Sequence, residues 1–151
     1  MEELLNKLRL LQSNAFIYYT KAHGYHWDVE GILFEQFHSM FGELYEDVWG
    51  SVDEYAEWLR RLGAKASFDV MSALSTSNIK YDLGPGESNP IAMLQSLYNS
   101  NLLMIGDLKM SFDYAENAKE EGLANYIAER IDAHQKWGWR LSASLKSMIV
   151  S

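Results

Sequence analysis

Three of the four histidines in this sequence, His23, His26 and His38, lie within a 16-residue window. Imidazole nitrogens bind iron, zinc and other transition metals, so a group of histidines is a candidate metal site. A helix would place His23 and His26 on one side, because they are one turn apart. The clustering alone does not show whether these histidines bind a metal or only pack and form hydrogen bonds.

Two carboxylates further along, Asp53 and Glu57, are spaced so that a helix would present both on one face, where they could hold a cation. The alternative is a solvated acidic stripe that also contains Glu46, Asp47 and Glu54. The sequence has no cysteine, which excludes disulfides, thiolate ligands and thiol catalysis. Any metal must therefore be held by nitrogen and oxygen ligands.

The distance between the histidines and the two carboxylates limits how one metal site can contain both. Fifteen helical residues separate His38 from Asp53, which is about 22 Å, whereas the ligands of one metal lie within about 2.2 Å of it. One chain cannot place both groups on one ion. Suppose that two chains pair so that their helices carrying His38, Asp53 and Glu57 run antiparallel about a two-fold axis. His26 and His38 of one chain then face Asp53 and Glu57 of the other. The site would then require a dimer.

The elements that must position these residues are helices. Apolar residues at spacings of three and four predict a first helix over about residues 2–27. A second periodic stretch continues from Phe34 to Gly63, a natural C-terminal cap. Residues 64–88 are rich in Ser, Asn and Gly, and predict a long crossover that carries a short helix.

Two further helices follow the crossover. Asn89 before Pro90 predicts an N-cap and the first turn of a third helix, which ends near Glu116. A polar break at 117–121 precedes a fourth helix, whose apolar positions continue to Ile149. The fold class is therefore all-α, a ferritin-like four-helix bundle, in which a long crossover joins helices 2 and 3.

Length, charge and hydropathy limit the functional classes. The 151 residues fit one domain, which covers 1–151. No apolar run approaches the roughly 20 residues of a membrane span, and the N-terminus lacks the pattern of a secretory signal, so we expect a cytoplasmic protein without membrane contact. The net charge of −8 argues against nucleic-acid binding, which Lys and Arg supply, and favours cations as partners.

The segment from His26 to Gly63 carries a dense pattern of residues: His26-Trp27-Asp28-Val29-x-Gly31, Phe34, His38, Leu44-Tyr45, Val52-Asp53-Glu54-x-Ala56-Glu57 and Arg60-x-Leu62-Gly63. In order and spacing this pattern resembles the signature of the Dps-like mini-ferritins, the DNA-protection-during-starvation branch of the ferritin superfamily. A looser similarity continues in the last helix, at Glu120-Glu121-Gly122, His134-Gln135-Lys136 and Trp139.

The resemblance implies a homo-oligomer, a hollow dodecamer built from two-fold dimers, with a ferroxidase centre at each dimer interface. In the family, residues at the positions of His26, His38, Asp53 and Glu57 bind iron. The implied activity is oxidation of Fe(II) by peroxide or dioxygen and storage of the ferric mineral, which protects against oxidative damage. Zinc or manganese accept the same ligands and could substitute for iron.

The sequence departs from the family pattern at Gly42, one turn after His38, where an acidic ligand is usual. The resemblance therefore implies a second metal position that is one carboxylate short. Candidates for an additional ligand are Glu43, about 100° further round the helix, Glu35, one turn before His38, and His23.

Two other features of the family are matched only in part by this sequence. The acidic three-fold pore corresponds to Glu120 and Glu121, but Asn125 occupies a position where aspartate is common. Trp27, beside the ligand position His26, corresponds to a tryptophan that is proposed to intercept oxidising equivalents, although it could also simply pack at the helix end.

Three other functions compete with this one. A conventional di-iron bundle needs two Glu-x-x-His motifs in one chain, but only Glu35-x-x-His38 is present, because Ile131 stands three residues before His134. A DNA-associated protein without iron oxidation needs basic surface, and we expect no DNA binding at physiological salt. A shell or scaffold with a degenerate oxidation centre is the third alternative, and Gly42 is the main sign of it.

Overall fold

The predicted helices form two hairpins joined by a crossover. The computed structural model describes residues 1–149, with side chains as far as Lys146. Every regular element in this range is a helix, and there are five: α1 (Glu2–Asp28), α2 (Phe34–Arg61), α3 (Val70–Thr76), α4 (Pro90–Asn117) and α5 (Glu121–Ile149). The fold class and the short helix in the crossover are as the sequence predicts.

Short turns make α1 antiparallel to α2 and α4 antiparallel to α5, and each helix packs chiefly on its hairpin partner. The crossover runs the length of α1. Near its start, Arg9 donates to the carbonyl of Lys65 (3.3 Å), and at its end the Glu30 amide donates to the carbonyl of Ser88 (3.0 Å). Helices α2 and α4 therefore begin at the same end of the bundle and run parallel.

The apolar spacing of each long helix produces its buried face. The helix α2 buries Phe37, Phe41, Leu44, Tyr55 and other residues of the predicted periodic stretch. These side chains meet the buried faces of α1, α4 and α5 in one core. No described helix is long and apolar enough to cross a membrane. The side chain of Ile149, the last predicted apolar position, lies outside the described residues.

The helix ends are set by side chains that the sequence identifies. The Asn89 side chain accepts hydrogen bonds from the amides of Ile91 (2.8 Å) and Ala92 (3.3 Å), and Pro90 begins α4. At the end of α2, Gly63 has φ +85°, and the amide of the following residue donates to the carbonyl of Leu59. This is a glycine-terminated C-cap, as predicted.

Candidate metal centre

The structure brings His26 and His38 together where α1 turns into α2. Nδ1 of His26 donates to the backbone carbonyl of His38 (2.5 Å), and Nδ1 of His38 donates to the carbonyl of His26 (2.7 Å). The two rings stack with their centroids 3.8 Å apart and their planes 15° apart. We call this reciprocal arrangement of His26 and His38 the histidine clasp. It joins the end of α1 to the first turns of α2.

The hydrogen bonds of the clasp determine which nitrogen can bind a metal. A carbonyl only accepts, so each Nδ1 carries the proton and each Nε2 carries a lone pair in the neutral ring. Among the described residues no hydrogen bond occupies either Nε2. A ring nitrogen held to a backbone carbonyl while the other nitrogen stays free is the usual arrangement of a metal-binding histidine.

Neighbouring rings hold the clasp in place. Phe34 stacks on His38 with a centroid distance of 4.9 Å, and the edge of Tyr45 meets His26 at 5.4 Å. Both histidines are half-buried, so one side of the clasp remains open to solvent. Because a ligand lone pair lies in the plane of its ring, two nearly parallel rings 3.8 Å apart point at two positions rather than one. The clasp therefore offers one nitrogen ligand to each of two positions.

Asp53 and Glu57 lie near the other end of α2, away from the clasp. Both side chains are exposed, and Asp53 borders an open groove of about 420 Å³ beside Trp49. Arg61 lies 3.8 Å from Glu57, a loose contact between exposed groups. The described side chains of one chain contain no group of three or more His, Asp or Glu that could hold a metal.

The clasp and the two carboxylates nevertheless share one side of α2. At 100° per residue, Asp53 is rotated by about 60° and Glu57 by about 100° from His38 around the helix axis. Between them, Tyr45 and Trp49 lie within about 20° of His38. Trp49 is 51% exposed, although aromatic side chains of this size are usually covered.

The structure places the three candidate additional ligands in different surroundings. The ring of His23 stacks on Tyr45 at 3.8 Å, and its Nδ1 shares a hydrogen bond of 3.0 Å with the Tyr19 hydroxyl. Glu43 accepts a hydrogen bond of 2.7 Å from Arg140 of α5, so this carboxylate is directed away from the clasp. Glu35 is exposed. The ring centroid of His23 lies 6.1 Å from that of His26.

The residues assigned to the pore lie at the turn between α4 and α5. Glu121 is exposed and Glu120 is half-buried. Glu121 and Asn125 border a groove of about 430 Å³ with Glu116 and Lys119. The side chain of Asn125 donates to Glu129 over 3.4 Å. The corner is therefore acidic and open, but one chain does not form a pore.

The centre of the bundle, where a conventional di-iron protein binds metal, is filled by a self-contained polar cluster. Asp47 accepts two hydrogen bonds from Arg130 (2.9 and 3.1 Å) and one from Trp137 (2.9 Å). Arg130 also donates to Nε2 of His134 (3.1 Å), and Nδ1 of His134 donates to Asn101 (2.9 Å). Both nitrogens of His134 are thus occupied, which argues against a di-iron site there.

The electrostatics of this cluster agree with its hydrogen bonds. Burial, together with the Arg130 cation, lowers the pKa of His134 to about 3, so the ring is neutral. Burial alone would raise the pKa of Asp47, but its hydrogen bonds and ion pair with Arg130 outweigh burial and lower it. The solvated acidic stripe considered above therefore does not include Asp47, which is an ionised, paired residue.

Two features of the region were not predicted. The Asp47–Arg130 pair joins residues 83 positions apart, and no local pattern indicates which of many charges will meet. The second feature is a close approach of Gly42 to the clasp: a Cβ at this position would lie 3.1 Å from Cε1 of His26. The position of Gly42 in the middle of a predicted helix could have indicated this close contact, because a glycine there often lets another group approach the helix.

The chain is similar to known proteins in its family pattern, its sequence and its structure. The family model described as a ferritin-like domain matches residues 3–148. A protein named DNA protection during starvation protein from Brevibacillus brevis is 31% identical over 134 residues, which is 89% of each chain.

Two solved structures share the fold along nearly the whole chain. A Dps protein from Bacillus brevis has a TM-score of 0.89 and 28% identity, with 95% of both chains covered. The Dps protein from Vibrio cholerae O1, described as a member of a broad superfamily of ferritin-like diiron-carboxylate proteins, has a TM-score of 0.90 and 26% identity. That match covers 95% of this chain and 89% of the other.

Proposed function

Because the chain belongs to the ferritin-like family, as a Dps-like mini-ferritin, we propose that it oxidises Fe(II) and stores the ferric product in an oligomeric shell. Its substrates are ferrous ion and an oxidant, either peroxide or dioxygen. The oxidation centre lies between two chains, with His26 and His38 from one chain and Asp53 and Glu57 from the other.

The histidine clasp is the observation that carries this proposal. It fixes two imidazole rings side by side, with both Nδ1 protons committed to backbone carbonyls and both Nε2 lone pairs free. Histidines with only a packing role do not need two fixed rings whose Nε2 acceptors are both unoccupied. Nitrogen ligands completed by carboxylates, with positions left open, suit ferrous iron and an approaching oxidant.

The surface between the two ligand groups supports pairing with a second copy of the chain. In an antiparallel pair, His38 of one helix faces Asp53 or Glu57 of the other only if the two-fold axis crosses α2 near residues 45–49. Tyr45 and Trp49 lie there, on the same side as the ligands, and exposed tryptophan is enriched where proteins associate. The groove at Asp53 is open in the single chain and would receive the partner.

The chemistry follows from two ions at one interface. Each ferrous ion gives up one electron, and one peroxide accepts both together with two protons, which yields two water molecules and two ferric ions. The carboxylates of Asp53 and Glu57 provide oxygen ligands, which offset the growing positive charge as ferrous becomes ferric ion. The same ligands accept zinc or manganese, which would compete with iron for the centre.

Removing the carboxylates tests the site. In the double variant Asp53→Asn plus Glu57→Gln, we expect Fe(II) oxidation to slow by at least about tenfold with either oxidant, because loss of ligands weakens metal binding by that order or more. The rate is followed as the appearance of ferric absorbance after mixing anaerobic Fe(II) with dioxygen or peroxide.

The matched control is Glu2→Gln plus Asp113→Asn, which removes the same charge from exposed carboxylates on α1 and α4. It should oxidise Fe(II) at the wild-type rate, and both proteins should elute at the wild-type oligomer size. Equal rates in the wild type and the Asp53/Glu57 variant would reject this centre. A wild type that oxidises no Fe(II) would favour the shell with a degenerate centre.

DNA association is not part of the proposed function, although the names of relatives refer to DNA protection. The chain has 21 acidic and 13 basic residues, so its surface repels phosphate at neutral pH. Protection by iron oxidation needs no contact with DNA, because removing Fe(II) and peroxide together prevents their damaging reaction.

A further inference from the structure

Gly42 lies on α2 one turn after His38, and His26 of the preceding helix packs against its Cα. A Cβ built at this position would lie 3.1 Å from Cε1 and 3.2 Å from Nδ1 of His26. Both distances are shorter than ordinary van der Waals contact, which begins near 3.5 Å between carbon atoms. Among the other helix-interior glycines, Gly24, Gly50 and Gly106 have no neighbour within 4 Å, whereas a Cβ at Gly138 would lie 3.1 Å from Nδ2 of Asn101.

The hydrogen bonding of the helix explains why residue 42 is the critical one. In α2 the carbonyl of His38 accepts the backbone amide of Gly42, four residues later, and it also accepts Nδ1 of His26. A carbonyl oxygen has two lone pairs and can serve both donors. Because a helical Cβ is tilted toward the N-terminus of its helix, a side chain at 42 would lie over this carbonyl.

Two sets of contacts oppose a shift of His26 away from a side chain at position 42. Its ring lies on that of His38, and the opposite face of His38 is stacked on Phe34. The backbone of His26 is held as well, because its carbonyl accepts Nδ1 of His38 at 2.7 Å. A shift of His26 by a few tenths of an ångström would therefore lengthen its own hydrogen bond and disturb the stack.

We propose that Gly42 is a positioning residue for the metal centre, and that the histidine clasp depends on the absence of any side chain at this position. A carboxylate side chain at position 42 would press on His26 and lengthen its hydrogen bond to the His38 carbonyl, so the missing acidic ligand leaves the clasp undisturbed. The effect on metal binding rests on the proposed function of His26 and His38, whereas the effect on the clasp does not.

The test replaces Gly42 by alanine and uses Co(II), whose visible spectrum reports the nitrogen ligands, as the probe. We expect Gly42→Ala to bind Co(II) about tenfold more weakly with a changed spectrum, as when a residue that supports a ligand is lost. A crystal structure of the metal-free variant should show a longer distance from His26 Nδ1 to the His38 carbonyl. The variant should still fold, because alanine favours a helix more than glycine does.

Gly106→Ala on α4 is the matched control, because it makes the same change inside a helix where the new methyl group meets nothing. It should leave Co(II) binding unchanged. A second variant, Gly42→Asp, adds the carboxylate, and we expect it to bind Co(II) more weakly than wild type.

Each outcome bears on the proposal. Wild-type Co(II) affinity in Gly42→Ala, or tighter binding in Gly42→Asp, would overturn it, as would an unchanged clasp in the metal-free crystal structure of the alanine variant. If wild type itself binds no Co(II), the proposed function fails, but the crystal structure still decides whether Gly42 positions the clasp.

Discussion

At the scale of single residues, the protonation of buried groups links this fold to pH. His134 is fully buried, neutral, and fixed between Arg130 and Asn101, with a pKa lowered to about 3. In the unfolded chain a histidine takes up a proton near pH 6.5. Between these two values the unfolded state binds more protons than the folded state, so folding becomes less favourable as the pH falls.

Asp47 adds to this effect at lower pH. Its folded-state pKa is lowered, so the stability that its ion pair contributes is present above the usual aspartate pKa. That contribution is lost as the pH falls through the lowered pKa in the folded state. The two residues therefore act in the same direction, with His134 first and Asp47 at more acidic pH.

We predict that the free energy of unfolding decreases with acidification, and that His134 accounts for up to about 1.4 kcal/mol per pH unit and chain between about pH 6 and pH 4. In His134→Gln this part of the slope should disappear, although the variant is less stable at neutral pH. Urea denaturation at several pH values gives the slope. The neighbouring Gln135→Ala, an exposed position, should keep the wild-type slope. An equal slope in His134→Gln would show that His134 is not the titrating group.

At the scale of elements, the helices α2 and α4 end in different ways. Gly63 ends α2 with φ +85°, which glycine adopts at no steric cost. Lys119 occupies the corresponding position after α4 with φ +60°, and the next amide donates to the carbonyl of Ala115. A left-handed conformation is unfavourable for a residue with a Cβ, so the end of α4 carries a local cost that the end of α2 avoids.

This difference predicts opposite effects for two substitutions. Lys119→Gly should raise the free energy of unfolding by about 0.5–1 kcal/mol, because the gain in the folded state exceeds the added freedom of the unfolded chain. Gly63→Lys should lower it by about 1 kcal/mol for the same steric reason. Urea denaturation measures both. Two changes of the same sign would contradict the assignment of these residues to left-handed caps.

At the scale of the whole molecule, the proposed centre makes activity a property of pairs of chains. Each dimer would hold two centres, and each centre would take its histidines from one chain and its carboxylates from the other. A chain with defective histidines can therefore be repaired by a chain with defective carboxylates. A centre built within one chain could not be repaired in this way.

Complementation between two inactive variants tests this dependence. One variant carries His26→Ala plus His38→Ala, and the other carries Asp53→Asn plus Glu57→Gln. When equal amounts are assembled together at random, about a quarter of the centres should combine intact histidines with intact carboxylates. Fe(II) oxidation should return to about that fraction of the wild-type rate. The same two proteins mixed after separate assembly provide the control, and no recovery after joint assembly would contradict a centre shared between chains.

The sequence alone determined the helices and most of their ends, because these depend on local patterns. Apolar spacing fixed the faces of α1 and α2, and Gly63 and Asn89-Pro90 marked helix boundaries that the structure confirms. The candidate ligands could also be chosen locally, because His26, His38, Asp53 and Glu57 are defined by residue type, spacing and family resemblance. Their joint role as a metal centre stays a prediction.

Only the tertiary structure decided how these residues meet. The stacking of His26 on His38 depends on the angle of the turn between α1 and α2, and the pairing of Asp47 with Arg130 depends on how the two hairpins pack. Such contacts join distant positions, and many pairings are compatible with the same periodicity. The clearest case is Gly42. In the sequence it is a missing carboxylate, and in the structure it is the space that His26 needs, because what a glycine permits depends on what lies beside it.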